Sequence, residues 1–371
     1  MQLVLVGAGH AHLSTFLDLH HFAAKGPPPL VITTHPHYTY SGMGPGVLSG
    51  IYKAAQGRIH IQRLVRLRGA RFLSGTVEGI DPVRGRLFLA DGSKVEYDVV
   101  SFNIGSRVPV SSFQPLEGRW IAVKPIDNFP VARERILELL REKPDPQLLV
   151  IGGGPAGVEI SGNLSRLLAE TGVAGRITLV AGSRLLKVFS ERVRTLASAS
   201  LHSRGVDILE GRRVRGLESG RAVLDDGRRI PADYTLIASG VQMSGLFQAS
   251  GLPVGAKGGL AVNRYLQCVG HPEIFGGGDC IDFTPHPVAK IGVMAYRQNP
   301  VLLANLRAAM TGKPLRPFLP PSVYTLMFNL GNDSALYIRG PLSFRNRFAF
   351  YLKNRIDRRF MARHQEAEHA L

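Results

Sequence analysis

Two glycine-rich turns constrain this chain more than any other feature. LVLVGAGHAH spans residues 3–12 and QLLVIGGGPAGVE spans residues 147–159, each an apolar run that closes on glycines and opens into a helix-compatible stretch. A short apolar run bounded by turns reads as a strand buried in a parallel sheet. A strand, a tight glycine turn and a helix N-terminus in succession make a dinucleotide-binding unit. Glycine lets the backbone approach a pyrophosphate, and the free N–H groups and helix dipole favour its charge. The second turn is complete, with Gly152, Gly154 and Gly157 in the three glycine places and Pro155 and Ala156 before the third. The first has Gly7 and Gly9, followed by His10 and Ala11, but His12 stands in the third place. One such turn is weak evidence; two at this spacing imply a chain that binds two nucleotides.

The rest of the chain repeats the same plan. VEYDVVSFNIGS at 95–106 and IPADYTLIASG at 230–240 each pass from an acid through an apolar strand to a small-residue turn, at Gly105–Ser106 and Gly240. DGSKVEYD and DDGRRIPAD precede them and read as hairpins. A third turn, EIFGGGDCID at 273–282, brings Gly278 and Asp279 to a strand end ahead of a helical run, KIGVMAYRQNPVLLANLRAAM. The fold predicted is α/β: two Rossmann-like dinucleotide-binding domains and a C-terminal helical segment. A length of 371 residues suits two or three domains.

Composition narrows the chemistry. Two cysteines, Cys268 and Cys280, exclude a disulfide scaffold, an iron–sulfur ligand set and a zinc finger. His10 and His12 have no carboxylate or cysteine partner in a metal pattern, so no metal is expected, and either histidine is packed or faces a phosphate. Lys+Arg 45 against Asp+Glu 28 leaves +17, which favours an anionic partner. The basic residues are largely dispersed and no nucleic-acid motif accompanies them, which argues against nucleic acid. No apolar run reaches the ~18 residues of a spanning helix. The opening MQLVLVGAGH enters a strand at once instead of a signal peptide. The expected location is cytoplasmic, with a peripheral contact on the inner face of the cell membrane.

The layout resembles the flavoproteins with two dinucleotide-binding domains: disulfide reductases, ferredoxin reductases, sulfide:quinone reductases and type II NADH dehydrogenases. VGAGHAH, YSGMGPGVLSG, FNIGS, VKPIDNF, GVMAYRQNPVLLANLR and IDRRFM are similar to a narrower group, the FAD-dependent oxidoreductases associated with selenide water dikinase. The resemblance implies an FAD domain in two parts, 1–118 and 252–320. An NAD(P)H domain at 119–251 is inserted between them, and a C-terminal segment covers 321–371. It further implies FAD over Gly7, Gly9, His10 and Ala11, with Gly105, Ser106, Gly278 and Asp279 around the ribityl chain and phosphate. The segment carrying Tyr40, Gly42, Met43 and Pro45 would lie against the flavin ring or wall the acceptor pocket. Lys290-Ile-Gly292 looks like the Lys-x-Gly element before a helix aimed at the flavin. Lys290 there is either a charge that stabilises the reduced ring or a solvated lysine.

Gly152, Gly154, Pro155, Ala156, Gly157 and Glu159 would hold NADH or NADPH. The strand RITLV ends in Ala181-Gly182-Ser183-Arg184, without the acid that binds an NAD ribose. Ser183 and Arg184 suit a 2′-phosphate and tilt the choice to NADPH, unless Arg184 is only a surface charge. The acid is also absent after the second strand, where Thr33 and Thr34 stand. The cysteines, twelve apart, form no redox pair, which demotes thiol and sulfide chemistry and favours a quinone acceptor. The alternatives are an FAD reductase of a soluble acceptor, such as a ferredoxin or a selenium-metabolism partner, or a sulfide:quinone-type oxidoreductase. Residues 341–364, PLSFRNRFAFYLKNRIDRRFMARH, carry seven Arg or Lys and one acid, Asp357. Phe344, Phe348, Leu352, Ile356 and Phe360 recur every fourth position, a stripe that drifts ~40° per step on a straight helix. Two shorter helices broken near Lys353–Asn354 separate the faces better. They would lie on an anionic membrane surface, pack on the body or join a homodimer.

Overall fold

The computed structural model describes residues 1–24 and 26–369. Four-residue aliphatic strands such as Leu3–Val6 and Val99–Phe102 are buried throughout. This is the pattern a strand takes when helices cover both faces of a parallel sheet. Leu3–Val6 pairs in parallel with Leu30–Thr33 on one side and Val99–Phe102 on the other, and His271–Gly276 extends the sheet beyond Val99–Phe102. The complete sheet has eight strands and combines residues 3–102 with residues 260–283.

A second sheet of five parallel strands runs Trp120–Ala122, Tyr234–Ile237, Gln147–Ile151, Arg176–Ala181, Val206–Glu210. Each sheet carries a three-stranded antiparallel meander, Val77–Glu96 on the first and Val214–Pro231 on the second. Each meander precedes a central strand, Val99–Phe102 or Tyr234–Ile237, so the repeat read from sequence is a repeat of structure. The apolar core falls into two clusters that follow the two sheets.

The C-terminal part departs from the expectation. Residues 325–346 form an antiparallel three-stranded sheet, and one 21-residue helix, Arg347–Ala367, follows. The proposed break near Lys353–Asn354 is wrong, and Phe344 belongs to a strand. The four-residue aromatic spacing does not define the buried face. That face is Ala349, Lys353, Asp357, Met361 and His364, while Phe348, Tyr351 and Ile356 are 65%, 59% and 47% exposed. A straight helix is possible because Lys353 and Asp357, four residues apart, neutralise each other inside.

The hairpin is fastened to the helix Pro155–Thr171. A Cβ at Gly162 would overlap the Leu330 carbonyl oxygen, and one at Gly331 would overlap the Gly162 carbonyl oxygen. Ser49 Oγ donates to Asn163 Oδ1 (2.6 Å), and Asn163 Nδ2 donates to the Asn329 carbonyl (3.2 Å). One buried amide thus ties both domains to the C-terminal sheet. No helix among the described residues is long and apolar enough to cross a membrane.

Candidate active site

Leu3–Val6 runs into Gly7, whose φ of +86° glycine adopts without strain. A Cβ at Gly7 would overlap the Asn103 carbonyl oxygen, and one at Gly9 the Asn103 side-chain oxygen. Asn103 is therefore the floor of the first cradle. Its Nδ2 is buried without a partner, an arrangement that costs about 1–3 kcal/mol unless a ligand oxygen accepts from it. A cradle closed to any side chain, with an unsatisfied amide donor in its floor, fits the phosphate and ribityl oxygens of FAD. His12 is packed: Nδ1 lies 2.8 Å from the Gly7 carbonyl and Nε2 2.8 Å from Ser101 Oγ. In the second turn a Cβ at Gly157 would overlap the Gly152 carbonyl. The imidazole of His12 hydrogen-bonds the carbonyl that a third glycine would approach directly. Burial lowers its pKa to about 4.

Asp279 follows Gly278 (φ +76°), whose N–H donates to the buried Gln298 (2.6 Å). Asp279 Oδ2 accepts from Lys124 Nζ at 2.7 Å and from Ser106 Oγ at 2.9 Å. Burial disfavours its charge, but the Lys124 ammonium and these hydrogen bonds override that and hold the carboxyl below its ordinary value. Gly105 makes the preceding turn at φ +67°. Lys290 instead pairs with Asp282 (2.7 Å) and donates to the Ile281 carbonyl, on the strand Ile281–Phe283. Its charge is already matched there. The helix Gly292–Ala309 starts after Ile291 with no side-chain cap, leaving its first N–H groups free.

An aromatic group gathers at that helix start. A Cβ at Gly292 would lie 3.6 Å from both His10 Nε2 and Ser41 Oγ. Tyr38 Oη is 2.9 Å from His10 Nε2, and the Phe360 ring stacks on His10 at 6.5 Å and lies 4.7 Å from Tyr40. The Tyr40 hydroxyl donates to Asp357 (3.0 Å). Lys353 donates to Asp357 (2.6 Å) and to the Gly42 carbonyl (2.7 Å). Met43 and Pro45 are packed in the interior, Pro45 in the first turn of Gly44–Ser49.

The second cradle has Gly152 at φ +130° and Gly154 as the uncapped start of Pro155–Thr171, with open space around Gly154. Ala156 is exposed there. Ser183, Arg184 and Lys187 line the same cavity as Gly153, Gly154 and Pro155. Arg184 is 3.4 Å from Glu191, which makes a closer pair with Arg194 at 2.6 Å. Gly240 turns at φ +66° beside Pro109. Glu159 points elsewhere. It accepts from the Asn329 N–H (2.7 Å) and feels Lys353 and Asp357, and burial raises its pKa to about 7.

Sequence reasoning missed Asn103, Lys124 and Lys353. Asn103 and Lys124 stand in the segments FNIGS and VKPIDNF, but only the fold shows that they meet the glycine turn and Asp279. The Lys353/Asp357 spacing was a usable signal of an internal pair. Both cysteines are buried and free, and burial raises their thiol pKa values to about 12 for Cys268 and about 11 for Cys280. Among the described residues no three His, Cys, Asp or Glu gather to hold a metal.

Two glycine cradles, one per parallel sheet, define an oxidoreductase that binds a flavin and a nicotinamide nucleotide separately. Residues 1–299 match the family model described as pyridine nucleotide-disulphide oxidoreductase. The chain belongs to that family and is an enzyme using FAD and NAD(P)H. It is 25% identical over 287 residues to "Ferroptosis suppressor protein 1" of Taeniopygia guttata, covering 73% of this chain and 72% of the relative. It is 26% identical over 282 residues to "Demethylphylloquinone reductase NdbB" of Synechocystis, covering 72% and 68%. The fold matches NDH2 from Plasmodium falciparum in complex with NADH, with a TM-score of 0.86, 13% identity and 99% and 96% of the two chains covered. It also matches the sulfide:quinone oxidoreductase of Aquifex aeolicus, with a TM-score of 0.83, 18% identity and coverage of 99% and 92%.

Proposed function

We propose that the protein is an NAD(P)H:quinone oxidoreductase working at a membrane surface. The observation that carries this is the inverted C-terminal helix. It turns Lys353 and Asp357 inward to the Tyr40–Gly42 segment, buries His364, and leaves Phe348, Tyr351 and Ile356 outside among arginines. Apolar rings flanked by basic side chains suit the interface of an anionic bilayer, where a lipid-soluble acceptor resides. The relative named as a demethylphylloquinone reductase supports a quinone as acceptor. Two buried, unpaired thiols give no support to sulfide or disulfide chemistry.

FAD supplies the two-electron relay between nicotinamide and acceptor. The protein's part is placement. Asn103, Gly7 and Gly9 receive the pyrophosphate, and Asp279, steadied by Lys124 and Ser106, meets the sugar hydroxyls. The start of Gly292–Ala309 presents free N–H groups to developing negative charge. Gly152, Gly154 and Gly157 receive the second nucleotide, and Ser183, Arg184 and Lys187 meet a 2′-phosphate, so NADPH is preferred to NADH. Phe360 and Tyr40 shield the acceptor side from water.

The test is anaerobic reduction of the FAD-loaded protein. NADPH should bleach the flavin at lower concentration than NADH, and a short-chain quinone should restore the colour. Bleaching that no quinone reverses would defeat the acceptor assignment.

A further inference from the structure

We propose that His10 is a redox-linked proton-loading site. It takes a proton from water when the enzyme receives two electrons and passes it to the acceptor as the electrons leave. The inference rests on the quinone reading above.

His10 is half-buried where four parts of the chain meet. Tyr38 Oη lies 2.9 Å from its Nε2, Phe360 stacks over its ring, and Tyr40 is 5.5 Å away. Gly292 opens the long helix beside it. No partner for Nδ1 is found among the described residues, and Nδ1 is not a sealed atom, unlike the orphaned Asn103 amide. The Tyr38 hydroxyl occupies Nε2, so Nδ1 is the ring nitrogen left to exchange a proton.

The groups facing His10 set its balance. Burial lowers its pKa to about 4, Asp279 pulls it up, and His364 and Lys124 push it down. Tyr38 is buried and stays a neutral phenol. Tyr40 is engaged with Asp357, whose charge Lys353 neutralises. The resting imidazole is therefore neutral. Hydride transfer from NAD(P)H adds two electrons and one proton to the enzyme and with them one net negative charge. That charge, close to a partly desolvated imidazole, raises its proton affinity. Reducing a quinone to a quinol takes two electrons and two protons. The hydride supplies both electrons and one proton, and His10 Nδ1–H supplies the second, returning to the neutral ring.

The balance gives a stoichiometry that is measured without turnover. Anaerobic reduction of the FAD-loaded wild type by one equivalent of NADPH at pH 7, in weak buffer with a pH dye, takes up close to one proton. His10→Gln takes up close to none. Its reoxidation by ubiquinone-1, measured against its own bleaching rate, slows at least tenfold. Equal uptake in both proteins overturns the proposal. Should His10→Gln fail to hold FAD, 15N-histidine NMR of the wild type decides: the His10 ring passes from neutral to doubly protonated on reduction, and a His10 signal unchanged by reduction overturns the proposal. A wild type that loads its proton but is not reoxidised by quinone sinks the quinone reading alone.

Discussion

Gly157 shows how much a single hydrogen atom decides. A methyl group there meets the Gly152 carbonyl, a backbone atom that cannot turn aside. Overpacking at such a site costs about 1–3 kcal/mol. Gly157→Ala should melt lower and require at least tenfold more NADPH for half-maximal bleaching, read by calorimetry and titration. Titration of single side chains also shapes stability. His10 and His12 have folded pKa values of about 4 against 6.5 in the open chain, so the unfolded state binds more protons between those values. Stability is full above pH 6.5 and is lost as pH falls toward 4. Glu159 runs the other way. Its pKa is raised from 4.5 to about 7, so the folded state holds the extra proton and stability declines as pH rises from 4.5 through 7. Glu159→Gln should raise the melting temperature at pH 8 and leave it unchanged at pH 4. Equal shifts at both values would contradict the assigned burial.

The C-terminal helix is the element where sequence and structure part. Apolar residues at every fourth position made a persuasive stripe, yet the helix turns two charged residues inward. Hydrophobic periodicity reports the buried face only when the core is what the apolar residues seek. Here Lys353 finds Asp357 and the Gly42 carbonyl, and Phe360 packs on His10 and Tyr40, while Phe348, Tyr351 and Ile356 are left outside. Removing one member of a buried pair costs about 3–5 kcal/mol, whereas replacing both by apolar residues is often near neutral. Lys353→Met should therefore lower the melting point far more than Lys353→Met combined with Asp357→Leu. Serine at Phe348, Tyr351 and Ile356 should leave the melt unchanged and abolish flotation with anionic liposomes. Flotation that survives these three substitutions would remove the support for a membrane-facing helix. The glycine turns were legible because their backbone geometry excludes other residues. The floor of the first cradle was not, since Asn103 lies 96 positions from Gly7 and reaches it only through the parallel pairing of their strands.

At the scale of the molecule, the repeated order of turn, meander and central strand was readable because each unit follows local rules. The fastening between units was hidden, as it depends on one amide meeting a serine 114 positions before it and a carbonyl 166 positions after it. Asn163→Ala removes the donor to the Asn329 carbonyl and leaves the Ser49 hydroxyl only the Gly46 carbonyl. It should uncouple the melting of the two domains, visible as two calorimetric transitions in place of one. The excess of +17 acts at this scale too. Attraction to an anionic bilayer is screened within about 10 Å at 0.1 M salt, so liposome binding should weaken steeply between 50 mM and 500 mM NaCl.

The two glycines that let the hairpin settle on Pro155–Thr171 carry a consequence for anyone who would rebuild this enzyme. A tail cut from it and grafted onto another reductase would find no seat unless the recipient's helix had an equally bare spot opposite Gly331. The acceptor side and the nucleotide helix must therefore change together, by design or by descent, as a lock is recut with its key.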